Sequence, residues 1–127
     1  MKLNQVTVGA TDHAASVAFY TRLGLTLIVD APPRYARFET PGGETFSIHQ
    51  VDAVASGTIV YFEVEDVDAI VAKLDLALTQ PPTDRPWLWR EARLRDPAGN
   101  EICIYHAGEN RRFPPWRLPR ASTKSPQ

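Results

Sequence analysis

The stretch Arg93–Tyr105, RLRDPAGNEICIY, constrains the fold more than any other part of the chain. Two alternating apolar runs flank Asp96-Pro97-Ala98-Gly99-Asn100. Proline presets one turn dihedral, glycine accepts a positive φ, and Asp or Asn caps the bend, so the stretch predicts a β-hairpin. A second copy lies 56 positions earlier, Arg37–His49, RFETPGGETFSIH, with Pro41 matching Pro97 and Gly43 matching Gly99. In the same register Phe38, Phe46 and Ile48 match Leu94, Ile102 and Ile104. One hairpin is used twice.

The remaining chain arranges itself around that pair. Leu3–Ala10 alternates like a strand. Asp12 is a good N-cap for a helix whose stripe is Ser16, Val17, Phe19, Tyr20 and Leu23, and Gly24 suits its C′ position. Leu25–Asp30 reads as a strand that Ala31-Pro32-Pro33 breaks. Tyr35–Thr40 and Thr45–Gln50 are the arms of the first hairpin. Val51–Gly57 reads as a linker and Thr58–Glu65 as a strong strand. Asp66 caps a second helix in which Ile70, Val71, Leu74 and Ala77 repeat the first stripe. A short strand is expected near Leu78–Gln80, then a loop imposed by Pro81, Pro82 and Pro86. Trp87–Asp96 and Glu101–His106 form the second hairpin.

The order is βαβββ, linker, βαβββ, an α+β arrangement of two modules, 3–50 and 57–106, within one folded unit over 1–107. Each module should build an open sheet with its helix on the outer face, and the pair should enclose a cleft. The strand period of two assigns the faces. Val6, Val8, Phe38, Phe46, Ile48, Val60, Phe62, Val64, Leu94, Ile102 and Ile104 should lie under the helices. Gln5, Thr7, Tyr35, Arg37, Ser47, His49, Ile59, Tyr61, Glu63, Glu91, Arg93, Cys103 and Tyr105 fall on the opposite face. That set is too polar for a core and reads as the lining of a wet pocket.

Bulk numbers exclude several classes. Net charge is −1 over 127 residues, which gives no reason to expect nucleic acid as a partner. No apolar run approaches the roughly 20 residues that span a bilayer. The opening MKLNQVTV lacks the apolar run of a signal peptide. A single cysteine rules out an internal disulfide and fits a reducing cytosol, so a cytoplasmic location is expected. From Gly108 the chain turns proline-rich and basic, with Arg111, Arg112, Arg117, Arg120 and Lys124 against Glu109, net +4, leaving −5 for the body. Such a tail, 108–127, would be disordered were it not for Phe113 and Trp116, which want something to pack against.

Among the pocket residues, Arg37 and Arg93 occupy equivalent positions in the two modules. They either present two forks to an anion or pair internally with Glu39, Glu63 or Glu91. Trp89, Tyr35, Tyr61 and Tyr105 offer a stacking wall, and Trp87 either a rim or ordinary packing. Cys103 reads as a small buried hydrophobe; as a nucleophile it would need a base and positive surroundings, which His49 and Arg93 could supply. His13, in the first helical turn, is expected in solvent, and His106 should point away from the pocket. No glycine-rich phosphate loop, Ser-His-Asp order or paired-carboxylate motif is present.

The chain resembles the vicinal oxygen chelate superfamily of glyoxalase I, bleomycin-resistance proteins and extradiol dioxygenases. The residues that carry the likeness are Val6 through Asp12 to Phe19-Tyr20 and Leu23-Gly24, then Tyr61–Ala69 and Arg95–Asn100, spanning residues 3 to about 106. In metal-dependent members four strand positions facing the cleft hold a divalent ion through His and Glu. Here the resemblance places Gln5, Ser47, Ile59 and Cys103 at them, and none is a normal ligand for a hard divalent ion. His49 with Glu63 makes a thin alternative set. No cofactor or metal is expected.

What the resemblance then implies is a metal-independent binding protein of the bleomycin-resistance type, sequestering a small polar or anionic ligand. Gln5, Arg37, Ser47, His49, Tyr61, Glu63, Trp89, Arg93, Cys103 and Tyr105 are its candidate contacts. The alternative is a glyoxalase- or isomerase-type enzyme with a replaced site, using Glu63, His49 or Glu91 as acid or base. A homodimer is expected, because single-domain members of this family usually pair.

Overall fold

A computed structural model describes residues 1–119; Arg120 and Lys124, counted in the basic tail, lie outside the described residues. The first module contains β1 (Gln5–Ala10), α1 (His13–Leu23), β2 (Thr26–Ala31), β3 (Tyr35–Glu39) and β4 (Thr45–Gln50). The second contains β5 (Ile59–Glu63), α2 (Val67–Leu74), β6 (Gln80–Asp84), β7 (Arg90–Arg95) and β8 (Glu101–His106), followed by a 3-10 turn, Gly108–Arg111. The sheets have the same order, β1-β4-β3-β2 and β5-β8-β7-β6. In each, the first strand pairs parallel with the last and forms an edge.

The repeated hairpins are alike down to single bonds. Gly43 and Gly99 take φ of 94° and 93°, a region that costs a glycine little. The N–H of each reaches back to Thr40 O or Asp96 O at 2.9 Å. Ser47 faces Arg37 across the first hairpin as Cys103 faces Arg93 across the second. The helix signals work as read: the carboxylates of Asp12 and Asp66 accept from Ala15 N and Ala69 N, and Gly24 ends α1 in the left-handed region.

One apolar core runs through both modules. Val8, Phe38, Phe46, Ile48, Val60, Leu94, Ile102 and Ile104 are buried in it as expected, with Phe62 and Val64 packed at its margin. Phe46 and Phe62 bring the two sheets together, their centroids 5.9 Å apart. Val6 departs from expectation and is 38% exposed, because it lines an open recess beside the edge strand β1.

Where the modules meet, the core contains a polar knot. Tyr20 of α1, fully buried, donates to Asp96 Oδ2 at 2.5 Å. Asp96 also accepts from the N–H groups of Ala98 and Asn100 and from Asn100 Nδ2. The same Asn100 amide donates to Gly9 O in β1 at 2.8 Å. Burial first, and Asp96 second, push the Tyr20 phenol well above its ordinary range, so it stays a donor. Nearby, Arg22 of α1 caps the end of α2 by donating to Leu74 O.

Two expectations are corrected. The Pro-rich segment expected as a loop is a strand, β6. Its register shifts between Gln80 and Thr83, which puts Pro81 and Pro82 at the irregularity of an edge, where missing N–H groups break no ladder. His13 is not solvated: its Nε2 lies 2.7 Å from Asp30 Oδ1 and its side chain is only 10% exposed. Beyond the turn, Phe113 sits beneath the guanidinium groups of Arg117 and Arg112 at 4.6 and 5.0 Å, while Trp116 is 57% exposed. No helix among the described residues is long and apolar enough to cross a membrane.

The knot yields a stability prediction. Tyr20→Phe keeps the ring but removes a hydrogen bond to a carboxylate. Urea unfolding should show a loss of about 1.5–3 kcal/mol with an unchanged m-value. A loss below about 0.5 kcal/mol would mean that Asp96 is satisfied without the phenol.

Candidate functional site

A cavity of about 830 Å³ lies in the gap between the two edge strands β1 and β5. Leu3–Val6, leading into β1, line it on one side and Ile59–Glu63 of β5 on the other, with Thr40–Gly42 and Glu44–Phe46 of the first hairpin, Tyr105 of β8 and Arg111 of the 3-10 turn. Of the ten candidate contacts, Gln5, Tyr61, Glu63 and Tyr105 line this space. His49 is exposed and borders a second recess of about 310 Å³ beneath Val51–Ala55. Arg37, Ser47, Trp89, Arg93 and Cys103 line neither cavity.

On the polar face of the first module the side chains satisfy one another. Gln5 Nε2 donates to Ser47 Oγ at 3.0 Å, and Tyr35 Oη lies 2.7 Å from the same atom. Arg37 Nε donates to Tyr35 Oη at 2.7 Å. The hydrogen bond to Ser47, with the Arg37 guanidinium behind it, holds the Tyr35 phenol below its ordinary pKa against the opposing pull of desolvation. Ser47 is fully buried, so it acts as the post that fixes Gln5 at the cavity wall.

The second module presents charge and aromatic area instead. Arg93 is clamped between Glu91 at 2.8 Å and Glu101 at 2.5 Å. Of the two readings the sequence left for Arg93, the structure shows internal pairing. Glu91 is 1% exposed and its Oε1 has no partner among the described residues. Cys103 is fully buried beside this clamp; burial first, then Glu91, pushes its thiol up to about 12. Such a thiol is protonated at neutral pH and is no nucleophile there. Trp89 and Tyr105 stack at 4.6 Å, and Tyr61 stands edge-on to both at 5.9 and 5.7 Å. Tyr61 is 43% exposed, so the cluster offers one open aromatic surface to the cavity.

Glu63 anchors the segment that follows β8. Its Oε2 accepts from Ala107 N at 2.8 Å and Gly108 N at 2.9 Å. Trp89 Nε1 adds a longer bond to Asn110 O at 3.4 Å. His106 turns to Val64 O at 2.8 Å and is absent from the cavity wall. Sequence reading missed Arg111 as a wall residue. The basic run 111–112 was visible, but nothing in its spacing said that Glu63 would fold the chain back over the aromatic cluster.

The donor set at the four positions where the resemblance implies a metal does not fit a divalent ion. Ile59 has no donor atom, Gln5 and Ser47 are bonded to each other, and the Cys103 thiol is protonated. Among the described residues no three His, Cys, Asp or Glu side chains converge.

Residues 2–104 match the family described as the Glyoxalase/Bleomycin resistance protein/Dioxygenase superfamily. No curated protein matches the chain in sequence. Among solved structures, a glyoxalase/bleomycin resistance protein/dioxygenase from Nocardioides is 25% identical, with TM-score 0.72 over 94% of this chain and 90% of its own. TioX from Micromonospora sp. ML1 is 24% identical, with TM-score 0.68 over 84% and 99%. Lactoylglutathione lyase from Agrobacterium tumefaciens is 17% identical, with TM-score 0.63 over 83% and 92%.

The raised thiol pKa predicts slow chemistry. Cys103 in the folded protein should react with a disulfide reagent at pH 8 at least about a hundredfold more slowly than in urea, where the thiol returns to about 8.5. Equal rates in the two states would show that the thiol is neither buried nor raised.

Proposed function

The chain belongs to the glyoxalase/bleomycin resistance protein/dioxygenase superfamily, and we propose that within it this protein is a metal-independent binder of a small polar or anionic organic molecule. The observation that carries the reading is the wall of the cavity between β1 and β5. It combines the open face of Tyr61 and the stacked Tyr105 with Gln5 and Glu63. An apolar surface with a few placed polar groups is what orients a small ligand.

The remaining candidates support that wall in this reading. Ser47 positions Gln5, Trp89 backs Tyr105, and the Glu91–Arg93–Glu101 clamp with Cys103 gives the second sheet a rigid floor. Nothing favours the enzyme alternative specifically, since the likeness to a lyase at 17% identity speaks for the fold alone. Proteins of this superfamily are often dimers, and a homodimer belongs to the proposal, with the exposed Trp116 and Phe113 as apolar anchors for a partner. A net charge of −1 agrees with a partner that is neither nucleic acid nor an anionic membrane, and a cytoplasmic location belongs to the same proposal.

A thermal-shift screen of aromatic acids and neutral aromatics, followed by calorimetry, tests the reading. Hits should bind at one per chain, equally with EDTA and with added Zn²⁺, Ni²⁺, Mn²⁺ or Fe²⁺, and remain chemically unchanged. Tyr61→Ala should weaken them roughly two- to tenfold, the equivalent of about 0.5–1.5 kcal/mol of aromatic contact. Binding that appears only with one metal, or turnover of a hit, would overturn the proposal.

A further inference from the structure

The cations that the sequence singled out are committed elsewhere. Arg93 is clamped by two carboxylates, and Arg37 stands outside the cavity on Tyr35. Among the described residues the cation in the cavity wall is Arg111, delivered by the 3-10 turn after β8, and it shares that wall with the carboxylates of Glu44 and Glu63. Its nearest carboxylate oxygen, Glu63 Oε1, is 3.8 Å from Nε, beyond the hydrogen-bonding range of about 2.7–3.2 Å. The other oxygen of Glu63 is taken by two backbone N–H groups. The Arg111 side chain is half exposed and donates no hydrogen bond within the described residues. An attracting charge is therefore held close by, while the planar fork keeps its donors unspent.

The turn that carries Arg111 is fixed at several points rather than loose. Glu63 holds the N–H groups of Ala107 and Gly108 at its start, Trp89 reaches Asn110 O, and Phe113 N closes on Glu109 O at 2.7 Å. Trp89 is itself stacked on Tyr105, and Tyr105 and Tyr61 share the cavity wall with Arg111. One fixed unit thus presents an aromatic surface and a guanidinium to the same space. That pairing matches a flat ring bearing a carboxylate, sulfonate or phosphate, whose oxygens accept from the fork.

We propose that Arg111 receives the acidic group of the ligand and makes the cavity prefer an aromatic anion to its neutral counterpart. The proposal rests on the binding function inferred above and adds to it the residue and the charge that set specificity. The same geometry makes the segment after β8 part of the binding site rather than an appendage.

Two fluorescent probes that share their rings test it on the full chain. 8-Anilinonaphthalene-1-sulfonate carries a sulfonate, and N-phenyl-1-naphthylamine is the same skeleton without it. Wild type should bind both at one per chain. Arg111→Gln should weaken the sulfonate at least about tenfold, as loss of a charge-assisted bond implies, and leave the neutral probe within about twofold. Arg111→Lys should keep part of the sulfonate affinity, since the charge remains and the fork does not. Arg112→Gln, the neighbouring residue outside the cavity wall, should change neither probe. Unchanged sulfonate binding in Arg111→Gln, equal loss of both probes, or an equal effect of Arg112→Gln would overturn the assignment. If only the neutral probe binds wild type, Arg111 loses its role while the cavity keeps its own; if neither binds, both fail.

Discussion

The arrangement of this protein depends on the knot of Tyr20, Asp96 and Asn100. A carboxylate buried to 5% exposure between two sheets is costly unless its acceptor positions are filled. Here a phenol from α1, two backbone N–H groups and an amide fill them, and the amide passes the connection on to Gly9 in β1. Three separate pieces of chain must therefore arrive together for any of them to be satisfied. Apolar packing of Phe46 on Phe62 supplies attraction, which is non-directional; the knot supplies direction. The knot thereby ties β1, whose opening residues border the cavity, to the second module.

A duplicated hairpin has been put to two different uses. Both copies close the same turn and place Ser47 and Cys103 at matching points. In the first, Arg37, Tyr35, Ser47 and Gln5 form a chain of hydrogen bonds that ends at the cavity wall. In the second, Tyr35 is replaced by Glu91 and His49 by Tyr105, so the hydrogen-bonded chain gives way to an ion-pair clamp under an aromatic cluster. The difference suits a site that positions a neutral group on one side and a ring on the other. It also accounts for the poor fit of a metal, since side chains spent on each other are not spare ligands.

Much of the fold was legible because its signals are local. The turn residues Pro41, Gly43, Pro97 and Gly99 act within a few positions, as do the caps Asp12 and Asp66, and all behave as read. β6 was misread because proline's local veto on pairing is suspended at an edge strand, and sequence does not say which strand will be the edge. The site was legible only in part for a related reason. Alternation tells which face a residue occupies, and four residues of the polar face, Gln5, Tyr61, Glu63 and Tyr105, stand in the cavity wall. It does not tell which polar residues will consume one another, as Arg93 and Glu101 do, nor that Glu63 will bend the following segment and bring Arg111 to the wall.

The central claim is that a small aromatic ligand sits between β1 and β5 without a metal. Amide chemical-shift mapping of the full chain with 8-anilinonaphthalene-1-sulfonate, in EDTA, tests it most directly. The account predicts saturable shifts confined to residues 3–6, 40–46, 59–63, 105 and 108–111, the walls of that cavity and the turn that bounds it. Shifts that centre instead on the recess beside His49, or that appear only after a divalent metal is added, would contradict it.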